Sequence, residues 1–175
     1  MNPLFKYIPD EVFTNILLFT DFETAVKHNS PVAKKLYNET IHTWGWAIDK
    51  GNIDILQWLH ENGLDKRIGY LIQWVIVNGN LEVIKWFHKN RPEIFTKDAM
   101  DFAAANGHFE IVKWLHFNRN EGCTTYAMNW AVYWGHLEIL KWLHENRTEG
   151  YTELAMIWAK QNERSDIIEW LNNIK

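Results

Sequence analysis

The chain has 175 residues, 47% of them hydrophobic, and a formal net charge of −4. That apolar content excludes a wholly disordered chain, and the lack of a basic run excludes a nucleic-acid groove, which needs clustered Lys and Arg to displace counterions. Cys123 is the only cysteine, which rules out an intrachain disulfide and a thiolate metal cluster and fits a reducing, intracellular compartment.

The first residues, MNPLFKYIPDEVF, have neither a long apolar core nor a small-residue cleavage pattern, so they do not read as a secretory signal. No apolar run approaches the ~20 residues of a membrane span. A soluble protein of the cytoplasm or nucleus is expected. Within residues 1–39, Pro9 and Asp10 suit a helix start, with the proline near the first turn and the acid at the positive end. Val12, Phe13, Ile16 and Leu17 then form an apolar face. A short helix is expected near Glu23–His28. Pro31 opens another, with Val32, Leu36 and Tyr37 on one side.

This segment resembles an F-box, the helical module that docks proteins onto the Skp adaptor of a cullin–RING ubiquitin ligase. Ile8, Pro9, Glu11, Val12, Ile16 and Leu17 fill the family's opening pattern. Ala25-Val26 and Val32-Ala33-Lys34-Lys35-Leu36 stand where it has a Leu-Leu pair and Val-Cys-Lys-x-Trp. Thr20, Ala33 and Leu36 depart from that pattern. The resemblance implies that Ile8, Pro9, Glu11, Val12, Phe13, Ile16 and Leu17 contact an adaptor. The alternative is a helical cap whose apolar residues all face the first repeat, and both can hold at once.

From residue 40 onward the chain is periodic. Trp58, Trp86, Trp114, Trp142 and Trp170 are each 28 residues apart, the mark of a copied supersecondary unit. Thr40, Thr96, Thr124 and Thr152 share one phase and are placed to cap a helix by accepting from a free first-turn N–H; Ile68 breaks the series. Gly51, Gly79, Gly107 and Gly135 fall where a left-handed residue ends that helix. A second helix follows at once, with an apolar face such as Leu137, Ile139, Leu140 and Leu143. Asn62, Asn90, Asn118 and Asn146 close it. Each unit is therefore an antiparallel helix pair that must stack on its neighbours to hide its apolar face. Ala47, Ala103, Ala104, Ala131 and Ala159 make the first helices slim enough for close approach.

The pattern is similar to the ankyrin repeat. The carrying residues are Ala103-Ala104, the pairs Gly107-His108 and Gly135-His136, and the following Glu-Ile-Val or Glu-Ile-Leu. Met100, Met128 and Met156 stand for the Leu of the family's Thr-Pro-Leu-His motif, which no unit keeps intact. Each unit is about five residues short of the usual ~33, so short loops and little or no strand are expected. The Trp-Leu-His-Glu-Asn-Arg wording looks like repeats of large DNA viruses of amoebae and of oomycetes; a viral origin would imply the cytoplasm of a host cell. The fold class is all-α. Residues 1–39 form the F-box-like module, and residues 40–175 form five short ankyrin-like repeats, the last a polar cap with Gln161-Asn162-Glu163-Arg164-Ser165 at its turn.

No catalytic motif emerges, and no cofactor is implied. Cys123 has no obvious paired base and reads as a loop thiol of no function. His60, His88, His116 and His144 recur once per unit. Equivalent positions on stacked helices lie about 8–10 Å apart, too far for one zinc with nitrogens near ~2 Å. These rings are expected to bond to carbonyls at helix ends. The eleven tryptophans are expected to be mostly core, Trp58 and its four equivalents on the apolar face of their helices. Tyr133-Trp134 differs, because the pair before the glycine varies while the frame repeats. In ankyrin proteins that position lies at the rim of the concave face. Lys50, Asn78, Asn106, Tyr133 and Trp134 are therefore the expected partner-binding residues, with packing of Trp134 on Trp130 as the alternative. The resemblances imply a monomeric protein–protein interaction subunit: an F-box docking the Skp adaptor, and repeats holding an unidentified target. The alternative is an ankyrin-type binding module with residues 1–39 only as a cap.

Overall fold

The computed structural model describes residues 42–61 and 71–174. The chain divides into two units, Met1–Lys66 and Arg67–Lys175. The boundary expected at residue 39, the F-box-like residues Ile8, Pro9, Glu11, Val12, Phe13, Ile16 and Leu17, and the positions Thr40, Asn62 and Ile68 lie outside the described residues.

In the first unit, α1 (His42–Lys50) and α2 (Ile53–Glu61) form one helix pair. Gly51, at φ 63°, turns the chain. The amide of Asn52 donates to the Ala47 carbonyl at 2.8 Å, and the Asn52 side chain accepts from the Ile55 amide at 3.0 Å, capping α2. Trp44, Ala47 and Ile48 of α1 are buried, as are Ile55, Leu56, Trp58 and Leu59 of α2.

The second unit holds four more pairs: α3 (Leu71–Asn78) with α4 (Leu81–Asn90), α5 (Asp98–Ala105) with α6 (Phe109–Asn118), α7 (Thr125–Trp134) with α8 (Leu137–Asn146), and α9 (Glu153–Gln161) with α10 (Ser165–Asn173). No strand occurs among the described residues. The first helices α3, α5, α7 and α9 pack side by side in that order. Two rows of buried alanines make this possible: Ala99, Ala127 and Ala155, then Ala103, Ala131 and Ala159. Methyl-sized side chains let neighbouring helix axes approach closely. The second helices carry the bulk, burying Ile84 and Phe87, Val112 and Leu115, Leu140 and Leu143, and Ile167 and Leu171.

The expected punctuation is largely present. Gly79, Gly107 and Gly135 have φ of 78°, 75° and 85°. Thr124 and Thr152 cap α7 and α9, accepting from the amides of Tyr126 and Leu154. Asn90, Asn118 and Asn146 each donate through Nδ2 to the carbonyl of the tryptophan four residues back, at 2.8–2.9 Å. Thr96 is an exception. Lys97 occupies the cap of α5, with no side-chain bond. The loops before α7 and α9 turn through Gly122 and Gly150, at φ 74° and 72°. The loop before α5 has Ile94 at that phase and folds as a 3-10 turn, Pro92–Ile94, so the helix begins later.

Three kinds of tie recur between consecutive pairs. Asp101 accepts from the Thr124 amide at 2.8 Å and from its hydroxyl at 2.6 Å. One pair further on, Asn129 accepts from the Thr152 amide at 3.0 Å and donates to its hydroxyl at 2.9 Å. The second tie follows the glycines: Nε2 of His108 donates to the Val77 carbonyl at 2.9 Å, and Nε2 of His136 to the Ala105 carbonyl at 3.1 Å. In the last pair Arg164 stands at this phase and donates to the Trp134 carbonyl at 3.3 Å. A Cβ at Gly107 would meet the His136 ring at 2.7 Å, so glycine is required there by close approach as well as by its left-handed backbone.

The third tie corrects the expectation for the histidine ladder. His88, His116 and His144 present their rings edge-on to Trp114, Trp142 and Trp170 of the next pair, with centroids 5.2, 5.1 and 5.3 Å apart. A carbonyl is not their partner. Nδ1 of His88 accepts from Arg119 at 3.2 Å, and Nδ1 of His116 is buried without a partner. The tryptophans divide accordingly. Trp58 and Trp86 are buried, whereas Trp114, Trp142 and Trp170, each with a histidine ring of the preceding pair set nearly perpendicular to it, are half-buried.

Candidate functional site

The C-terminal ends of the first-layer helices enclose a groove of about 520 Å³ in the second unit. Val77 comes from α3, Phe102 and Ala105 from α5, and Asn106 from its cap. Trp130, Tyr133 and Trp134 come from α7, and Trp158 from α9. The helical period places these side chains together. Phe102, Trp130 and Trp158 are 28 residues apart in sequence, so each stands at the same height on consecutive stacked helices.

The aromatic rings brace one another. Trp130 stacks between Phe102 and Tyr126, at centroid distances of 5.6 and 5.1 Å and 27° between planes on both sides. Tyr133 sets its edge against Trp134 at 5.0 Å and against Trp158 at 5.5 Å. Trp134 remains 56% exposed and Tyr133 36%. These are large exposed aromatics held in fixed positions, the side-chain types most enriched at interface hot spots. No lining residue is ionisable as a carboxylate, ammonium, guanidinium or imidazole.

Of the five residues expected to bind a partner, the groove brings three together: Asn106, Tyr133 and Trp134. Asn78 is exposed at the end of α3 but does not line the groove, and Lys50 is exposed at the end of α1, in the first unit. The aromatic contacts of Trp134 are with Tyr133, while Trp130 is engaged by Phe102 and Tyr126. Phe102, Trp130 and Trp158 were not expected as site residues. Their signal was a second aromatic beat, Trp46, Trp74, Phe102, Trp130 and Trp158, running beside the one through Trp58.

Elsewhere the ionisable groups serve the frame. Glu149 receives hydrogen bonds from Arg147 and, at 3.4 Å, from the Cys123 amide. Burial acts to raise its pKa, but these bonds and the Arg147 charge hold it down at about 2. Cys123 is buried rather than exposed on its loop. Burial, with the charges of Glu149 and Asp101, pushes its thiol up to about 12, so it is not a thiolate at neutral pH. Among the described residues no group of three His, Cys, Asp or Glu is placed to hold a metal ion, and no helix is long and apolar enough to cross a membrane.

A family model for ankyrin repeats in many copies matches residues 46–88, 72–116, 100–144 and 128–171. The chain belongs to the ankyrin-repeat family. Its repeats are the helix pairs described above, and the overlapping matches run from α1 to α10. Ankyrin repeats are protein–protein interaction modules, typically non-enzymatic binding scaffolds, in which stacked units present one continuous surface. Neither the curated proteins nor the solved structures include a match to the chain.

Proposed function

We propose that this ankyrin-repeat protein is a recognition subunit that holds a target protein in the groove of its first-layer helices. The observation that carries this is the fixed aromatic cluster of Phe102, Trp130, Tyr133, Trp134 and Trp158 around an open groove. Such rings lose little side-chain entropy on binding because they are already braced. Trp134 contributes the most exposed ring, so Trp134→Ala keeps the fold and weakens the target by roughly tenfold or more. Lys50 and Asn78, exposed at the ends of α1 and α3, are further candidate contacts by their equivalent phase.

The F-box resemblance of residues 1–39 supports a specific use for such a subunit. In this reading Ile8, Pro9, Glu11, Val12, Phe13, Ile16 and Leu17 dock the Skp adaptor of a cullin–RING ubiquitin ligase. Residues 40–175 present the target, the last repeat serves as the polar cap, and ubiquitin transfer is done by other subunits. The wording of the repeats favours a host-cell cytoplasm as the setting. Mixing the purified chain with a eukaryotic Skp adaptor gives a stoichiometric complex on size exclusion, abolished by Pro9→Ala with Val12→Asp. No complex, or one untouched by the double substitution, overturns the ligase reading and leaves residues 1–39 as a cap on a plain binding module.

A further inference from the structure

Three joints of the second unit each set a histidine ring against a tryptophan of the next pair. At two of them an arginine from the loop after that next pair bears on the same ring. Arg119 places Nη1 3.2 Å from Nδ1 of His88. A guanidinium has five N–H donors and no acceptor, so this Nδ1 is the unprotonated nitrogen of the imidazole. The guanidinium is held there by its other bonds. Its Nε and Nη2 donate to Glu121, Nη2 also donates to the Pro92 carbonyl at 2.9 Å, and its carbon lies 4.7 Å over the Phe95 ring. At the next joint, Nδ1 of His116 is buried without a hydrogen-bond partner. Burial, then the Arg147 charge, disfavours a proton on that ring, against a smaller opposing effect of Glu149. At the third joint His144 is exposed, so a charge on its ring stays solvated.

The charged groups at His88 are Arg119 and its partner Glu121; those at His116 are Arg147 and Glu149. Burial acts to raise both carboxyls, but the bonds from Arg119 and Arg147 hold them below the usual range, so both stay ionised in mild acid. Between pH 7 and pH 5 the imidazoles are therefore the groups at these joints that change charge. A proton on Nδ1 of His88 removes the acceptor of Arg119 and sets an imidazolium against a guanidinium. A proton on Nδ1 of His116 leaves a charged N–H buried and unpaired beside Arg147. Each effect acts across a joint, because the ring belongs to one pair and the arginine follows the next. We propose that the two joints form an acid-sensitive latch: protonation of His88 and His116 loosens α4, α6 and α8 from one another, while the joint at His144 holds. The latch does not depend on what the groove binds.

The test is backbone hydrogen exchange of the full chain, read by mass spectrometry at pH 7 and pH 5 and corrected for the chemical exchange rate. On acidification, protection in α4 and α6 is expected to fall by roughly tenfold or more relative to α10 of the same molecules. His88→Phe combined with His116→Phe keeps an aromatic ring against Trp114 and Trp142 but cannot take a proton, and should abolish that fall. His144→Phe should leave it intact. An equal fall in α6 and α10 of the wild type overturns the proposal, and that comparison stands even if the double variant fails to fold. A fall that persists in the folded double variant, or one that disappears in His144→Phe, overturns it as well.

Discussion

Glu163 occupies the phase held by glycine in the four preceding units and sits at φ 54°, the one non-glycine residue at positive φ among the described residues. A side chain in that conformation costs about 1–2 kcal/mol. Part of that is offset because glycine loses more chain entropy on folding. Glu163→Gly should therefore raise stability by about 0.5–1 kcal/mol, read as a higher denaturant midpoint at unchanged slope. His116 gives a prediction in pH. Burial, then the nearby Arg147 charge, lowers its pKa below the usual 6.5, against a smaller opposing effect of Glu149. A depressed folded value means stability that is present above the unfolded value and lost as pH falls through the folded one. Unfolding measured from pH 7 down to pH 5 should weaken less steeply in His116→Asn than in the wild type. The residue scale was only partly legible in sequence. The glycine phase was visible, since only glycine is at ease there. The histidine ladder was visible as a spacing, but its partner was not, because a ring can meet a carbonyl or a tryptophan edge at the same periodicity.

At the scale of the helix pair, the ties between units set how firmly each copy holds the next. Asp101 and Asn129 occupy the same phase and both accept from the next cap threonine's amide, but Asp101 also accepts from the Thr124 hydroxyl whereas Asn129 donates to that of Thr152. They differ in charge. Burial raises the Asp101 pKa, partly countered by the hydrogen bonds from Thr124. A raised folded value means a contribution that is full below the unfolded pKa and is lost as pH rises through the folded one. Asp101→Asn should thus be more stable than the wild type at neutral pH, with the gap closing in acid. Asp101→Ala should cost about 1–3 kcal/mol by leaving the Thr124 amide unpaired. Thermal unfolding of the three proteins at two pH values checks both statements. Helix pairs, caps and alanine rows could be read from the 28-residue repeat because one period serves all of them. The late start of α5 could not. It follows from Ile94 standing where the later loops have Gly122 and Gly150, a difference of one residue inside a loop that otherwise keeps its length.

At the scale of the molecule, the described repeats are a frame that brings one aromatic ladder to an open groove and ties the other into the packing between units. Trp114, Trp142 and Trp170 are edged by histidines and belong to the frame. Phe102, Trp130 and Trp158 face the groove. Sequence periodicity shows both ladders equally well. Only the packing direction separates them, and that depends on which helix layer each belongs to. In the proposed function the groove, and not the outer layer, meets the partner. Phe117, 73% exposed on α6, provides the matched control. The most direct measurement is quantitative capture from a eukaryotic cell extract by three immobilised proteins: wild type, Trp134→Ala and Phe117→Ala. Proteins retained by the wild type should be retained by Phe117→Ala and lost by Trp134→Ala. Equal retention by Trp134→Ala, or loss confined to Phe117→Ala, would contradict it.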